Sequence, residues 1–268
     1  MPPSCALHRN HVRIVGDTQA AQTLVFVHGF GTDQSTWDKI VPAFSGSHRI
    51  VLLDNVGAGQ SDPGAFVQHR YLSLPPYADD LLEVCAALEL RDAVVIGHSA
   101  GGMIAALSAM DRPEHFAQLV LIGASPCYLD SADGYVGGFS QDTLQQTYRA
   151  VMSNFMGWIQ DFSPIAVNAP DQPEIAEHFA ATLRRIPPEH ALTVLCSILQ
   201  SDHRADLARL RTPTLIIQSS EDFFVPQAVA EYLHRHIAHS QLAQIEARGH
   251  FPHLTAPAQV IEAIRRVL

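Results

Sequence analysis

Residues 97–101 read Gly-His-Ser-Ala-Gly, and no other Gly-x-Ser-x-Gly occurs in the chain. The apolar run Ala93-Val94-Val95-Ile96 precedes it and Met103-Ile104-Ala105-Ala106-Leu107 follows it. A buried strand, a very tight turn and a helix are what this order of residues requires. Such a turn strains the backbone at Ser99 and lifts its hydroxyl above a sheet edge, while the small residues two positions to either side let strand and helix approach. A plain Ser/Gly turn is the competing reading, so the rest of the chain must supply partners for Ser99.

Around this turn, short β-rich apolar runs alternate with helical patterns, which predicts an α/β fold with a mostly parallel sheet flanked by helices. The expected strands are 11–15, 24–28, 49–53, 94–97, 119–123, 214–218 and 241–245, and the clearest helices are 77–90, 102–111, 226–236 and 257–268. Near-continuous runs such as Leu24-Val25-Phe26-Val27 suit strands buried on both faces. Between 126 and 200 the alternation stops. Helical patterns near 141–152, 154–165, 173–184 and 189–199, punctuated by Pro164, Pro170, Pro173, Pro187 and Pro188, read as an insertion. The expected organisation is one core, 1–125 with 201–268, carrying a helical cap at 126–200.

A serine hydroxyl becomes a useful nucleophile when a base takes its proton and a third group orients that base. After the strand at 214–218 come Glu221 and Asp222, and after the strand at 241–245 come His250 and His253. Both pairs fall just past the carboxyl ends of their strands, on the edge where Ser99 stands and where ligands bind in open α/β sheets. Asp222 is favoured over Glu221 by its spacing to Pro226 at the next helix start. His250 is favoured over His253 because Gly249 frees the backbone at a loop apex, and over His98 because the turn aims His98 away from the hydroxyl. A tetrahedral intermediate needs two amide donors. Ala100 at the helix start supplies one, and Phe30 in His28-Gly29-Phe30-Gly31, after an early strand, is the candidate for the other. Gly57-Ala58-Gly59 lacks the third glycine of a nucleotide loop and reads as a turn, so no cofactor is implied.

At 268 residues the chain is long enough for one large α/β domain, and its formal charge of −10 argues against nucleic acid and anionic membrane surfaces as partners. No apolar stretch approaches the ~20 residues of a membrane span. The start, Met1-Pro2-Pro3-Ser4-Cys5, lacks the pattern of a signal peptide, so a cytoplasmic location is expected. The 4 cysteines form no Cys-x-x-Cys pair, and the 15 histidines fall in no ligand spacing, so no metal site is expected.

With these residues in view, the chain resembles the α/β-hydrolase superfamily, and within it the RsbQ-type hydrolases that include the plant strigolactone and karrikin receptors. The resemblance runs over nearly the whole chain. It is carried by residues 28–37 (HGFGTDQSTW), Gly97-His98-Ser99, Ser125-Pro126-Cys127-Tyr128-Leu129, Gly137-Gly138-Phe139, Gly157-Trp158, Ser201-Asp202-His203-Arg204 and Gly249-His250-Phe251-Pro252-His253. It implies a four-helix V-shaped lid over an apolar pocket, with Ser99, Asp222 and His250 at its floor. It further implies that Phe30, Phe139, Trp158, Phe162, Cys196 and Phe251 line that pocket. An apolar enclosure suits a small hydrophobic ester or lactone, and the receptor branch adds a regulatory protein partner docking at the lid.

Overall fold

The computed structural model describes residues 3–268; Met1 and Pro2, part of the stretch read above for a signal peptide, lie outside it. Seven strands form one sheet: β1 (Arg13–Gly16), β2 (Thr23–Val27), β3 (Arg49–Leu53), β4 (Ala93–His98), β5 (Phe116–Ile122), β6 (Thr214–Glu221) and β7 (Ser240–Arg248). Their spatial order is β1-β3-β2-β4-β5-β6-β7. Every pairing is parallel except the edge strand β1, which runs antiparallel to β3.

The period of two in the apolar strands sorts their side chains into two cores. Val25 and Val27 of β2, Val51 and Leu53 of β3 and Val95 of β4 face one side. Leu24 and Phe26, Ile50 and Leu52, and Val94 and Ile96 face the other, around Trp37, Phe44 and Ile264. Because both faces are covered, the central strands have no polar face, which is why they read as unbroken apolar runs.

Among the described residues, ten α-helices surround the sheet. The first, α1 (Pro3–Arg9), was not expected from sequence, since its seven residues carry no apolar period. Tertiary contacts hold it instead: Arg9 enters the protein and pairs with buried Asp80 at 3.1 Å and with Glu83 at 2.7 Å, both on α2 (Pro75–Ala87). Helix α3 (Ala100–Asp111) follows the Ser99 turn.

Between β5 and β6 come α4 (Gln141–Ser153), α5 (Phe155–Val167), α6 (Pro173–Arg184) and α7 (Pro188–Leu199), packed as the pairs α5–α6 and α4–α7. Pro173 and Pro188 open their helices at the first turn, where a missing N–H costs nothing. Pro164 behaves differently from the punctuation expected of it, for α5 runs on to Val167 and ends at Asn168 in left-handed conformation. The chain closes with α8 (Gln227–His236), α9 (Pro252–Thr255) and α10 (Pro257–Arg265). Among the described residues, no helix is long and apolar enough to cross a membrane.

Candidate active site

Ser99 sits between β4 and α3 at φ 54°, ψ −122°, a region that an L-residue enters only under constraint. The constraint is steric and falls on the flanking glycines. A Cβ on Gly97 would lie 2.5 Å from the Gly101 carbonyl oxygen, and one on Gly101 would lie 2.3 Å from that of Val27. Backbone bonds fix the serine itself: its N–H donates to the Ile122 carbonyl at 2.8 Å, and its own carbonyl accepts from Gly102 N–H at 2.9 Å.

The loop after β7 brings His250 to it. Ser99 Oγ–H donates to His250 Nε2 at 2.8 Å, and His250 Nδ1–H donates to Asp222 Oδ2 at 2.8 Å. Asp222 is in turn held from behind, its Oδ1 accepting the Phe224 and Val225 amides at 2.8 and 3.1 Å. The neighbouring Glu221 is exposed and pairs with Arg248 across the β6–β7 edge at 3.6 Å. An irregularity in pairing between Ser219 and Glu221 turns the strand end so that the two acids part company.

The other two histidines lie behind the site. His98 Nε2–H donates to the His250 carbonyl at 2.7 Å, supporting the loop rather than touching the serine. His253 bonds Thr36 Oγ1 at 2.8 Å and packs, tilted, between the Trp37 and His98 rings. Burial holds both rings neutral: the His98 pKa is pushed well below the ordinary 6.5, and that of His253 down to about 3, each further lowered by neighbouring histidines.

The loop after β2 lies against this turn. Gly29 approaches so closely that an added Cβ would stand 3.0 Å from the Ser99 Cβ. His28 fixes the loop: its Nε2 accepts the Asn55 N–H at 2.9 Å, and its Nδ1–H donates to the Gly29 carbonyl at 2.8 Å. Thr182 of α6 adds a hydrogen bond to the Gly31 carbonyl at 2.7 Å. Phe30 is therefore carried to the edge of the site, and Ala100 stands in the first turn of α3, where amides have no acceptor within their own helix.

An apolar cavity of about 40 Å³ lies above Ser99 and His250. Phe30, Phe162 and Phe251 line it, together with Phe179, Phe224 and Tyr128, which the sequence did not single out as pocket residues. The remaining three expected lining residues stand elsewhere. Phe139 packs behind Tyr128 and Phe224, its ring centroid 6.3 and 5.7 Å from theirs. Trp158 is one helical turn back from Phe162 and stacks on it at 4.5 Å. Cys196 faces outward into a surface groove beside Leu192 and Gln200. Tyr128 is fully buried, and its hydroxyl lies 3.4 Å from Ser99 Oγ. Burial pushes its pKa up to about 12, so it stays a neutral hydrogen-bonding group at any working pH.

Among the described residues, no group of three or more His, Cys, Asp or Glu side chains could hold a metal ion. The Gly57–Gly59 turn wraps Asp54, whose Oδ2 accepts the Gln60 amide at 2.8 Å, and leads into a three-residue 3-10 turn at Pro63–Ala65.

Known proteins resemble this chain in sequence and in fold. The family described as alpha/beta hydrolase fold matches residues 22–257. A strigolactone esterase of Arabidopsis thaliana is 39% identical over 259 residues, covering 96% of each chain. A karrikin insensitive 2 receptor of Petunia hybrida is 37% identical over 258 residues, covering 96% of this chain and 94% of its own. Among solved structures, a hydrolase from Oleispira antarctica superposes with a TM-score of 0.96 at 30% identity, covering 100% of this chain and 97% of the other.

Proposed function

The chain belongs to the alpha/beta hydrolase fold family, and from that premise we propose that it is a serine hydrolase cleaving a small hydrophobic ester or lactone through an acyl-enzyme on Ser99. The observation that carries this reading is the chain of two 2.8 Å hydrogen bonds from Asp222 through His250 to Ser99 on the floor of an apolar cavity.

In the first half of the reaction, Ser99 Oγ attacks the substrate carbonyl as its proton passes to His250 Nε2. Asp222 fixes the tautomer that leaves Nε2 free to accept, and stabilises the imidazolium that forms. The Phe30 and Ala100 amides serve as donors to the oxyanion. The tetrahedral adduct then collapses: the bond to the alcohol oxygen breaks, and His250 returns the proton to that oxygen. In the second half, water attacks the acyl-enzyme with His250 again as base, and Ser99 leaves with the proton. Helices α4–α7 act as a lid, and the aromatic lining favours hydrophobic substituents over charged ones.

The test is hydrolysis of short p-nitrophenyl esters and simple lactones, with a fluorophosphonate probe as a label for the serine. Turnover and labelling by the native protein, both lost in Ser99→Ala, are expected. Hydrolysis that survives in Ser99→Ala, or a native protein neither active nor labelled, overturns the reading.

A second reading keeps the same site and has the insertion dock a regulatory protein once a small hydrophobic ligand is bound or slowly cleaved. The likeness to a karrikin receptor favours it, as do Met152 and Met156, which stand 72% and 57% exposed at the α4–α5 corner. Ligand-dependent pull-down of a partner, lost when both methionines become glutamate, is its expected signature; a partner set indifferent to ligand counts against it.

A further inference from the structure

The cavity over Ser99, at about 40 Å³, has room for only a few water-sized atoms, fewer than an ester with substituents on both sides presents. One substituent must lie elsewhere. A second apolar chamber of about 30 Å³ opens on the far side of the Phe30 loop, and it shares just Phe30 and Ile198 with the first.

What borders this chamber decides which half of a substrate can reach it. Gly29 and the two residues whose amides are the proposed oxyanion donors, Phe30 and Ala100, form one wall, but neither Ser99 nor His250 lines it. A leaving oxygen has to face His250 Nε2 to take back its proton, so the alcohol portion belongs on the His250 side. The portion that passes the oxyanion loop is the acyl chain.

One unpaired polar group lies beside the chamber. Tyr77, on α2, lines it among Val56, Leu74, Ile104 and Val194. The residue is 4% exposed, and its hydroxyl has no hydrogen-bond partner among the described residues. A buried hydroxyl without a partner is unfavourable by itself and gains from a ligand atom that pairs with it.

We infer that this chamber is the acyl subsite, taking an apolar acyl chain of a few atoms that bears one oxygen to accept a hydrogen bond from the Tyr77 hydroxyl. The inference rests on the ester-hydrolase reading above and adds to it the half of the substrate that confers specificity.

The experiment measures kcat/KM for p-nitrophenyl esters of methoxyacetate, 3-methoxypropanoate and 4-methoxybutanoate, each against its carbon isostere butanoate, pentanoate or hexanoate. Dividing every value by that of the same enzyme form on the acetate ester removes changes common to all acyl groups. At one chain length the oxygen-bearing ester should be preferred by roughly 3- to 10-fold, the worth of one neutral hydrogen bond. Tyr77→Phe should remove that preference at that length alone. Val194→Phe, which fills the chamber from α7, should make activity fall steeply with acyl length relative to acetate. Equal rates for every pair, a preference that survives Tyr77→Phe, or a length profile unmoved by Val194→Phe would overturn the subsite. Failure of all esters together with absent Ser99 labelling brings down the hydrolase reading itself, and is thereby distinguishable from loss of the oxygen preference alone.

Discussion

Acidification should weaken this fold through two buried histidines that stand outside the chain of hydrogen bonds joining Asp222, His250 and Ser99. His98 and His253 are buried in the layer beneath the active-site loop, and both are held neutral, chiefly by desolvation. A histidine whose folded pKa is depressed binds its proton more readily in the unfolded chain, so between its two pKa values stability rises with pH and is lost as pH falls. For His253 the window runs from 6.5 down to about 3. At pH 5 the unfolded state gains RT ln(1 + 10^1.5), about 2 kcal/mol, through His253, and His98 acts in the same direction. That is a sizeable share of the 5–15 kcal/mol typical of a folded domain. Urea unfolding across pH 5–8 measures it, and His253→Gln removes that one titrating ring. The variant is expected to be less stable at pH 8 yet to lose about 2 kcal/mol less than the native protein on going to pH 5. Parallel stability curves for the two proteins would refute the assignment of that proton to His253.

Three further outcomes follow from named contacts. Asp222→Asn keeps the shape of the site but removes the acceptor for His250 Nδ1–H, and kcat on an ester substrate should fall by ~10³–10⁴ with little change in KM; a loss below tenfold would take Asp222 out of the mechanism. Gly249→Ala places a Cβ 2.0 Å from the Val167 carbonyl at φ 79°, and should lower stability by more than about 2 kcal/mol, read as a drop in thermal midpoint, together with activity, because His250 is the next residue. Arg9→Met leaves the 1% exposed Asp80 without one of its two cations, in a setting where burial already holds its carboxyl above the usual range; urea unfolding should show a cost of about 3 kcal/mol.

What was legible in the sequence was what backbone contacts dictate. Gly97 and Gly101 are glycines because strand and helix touch there, so their spacing around Ser99 announces the turn without any knowledge of the rest. The alternating strands were visible because both sheet faces are covered. The choice between Glu221 and Asp222 depends on one irregularity at the end of β6, a feature below the resolution of residue patterns. The cavity lining was least legible, since it is set by how the inserted helices are rotated on the core. On α7, Leu195, Ile198 and Leu199 face the cavity over Ser99, while Leu192, Cys196 and Gln200, four residues apart, follow the opposite stripe into the outer groove. An apolar residue at either stripe looks the same in sequence. Helix α1 was invisible for a related reason, its anchor being a charge pair to a helix seventy residues away.

The inserted helices are not bound to the body of the protein in the same way, and the difference bears on how a substrate enters. The end of α5 accepts the His250 amide at the Ala166 carbonyl, 2.9 Å away, and leaves no space for even a methyl group at Gly249. Helix α6 holds the other half of the machinery through Thr182 and the Gly31 carbonyl. Moving either helix would therefore disturb the histidine or the loop expected to stabilise the oxyanion. Helix α7 meets the body through Gln68 to Thr193 at 3.1 Å, a stack of Phe66 on His190 and the buried Ala191, Leu195, Ile198 and Leu199, and its inner stripe borders both chambers. An outward shift of α7 with its partner α4 would enlarge both cavities at once and leave Asp222, His250, Ser99 and the Phe30 loop in place. Under the proposed reading, catalytic geometry would then fall to α5 and α6 and substrate access to α4 and α7, and admission of a substrate larger than the resting cavities need not relax the hydrogen bonds that would cleave it.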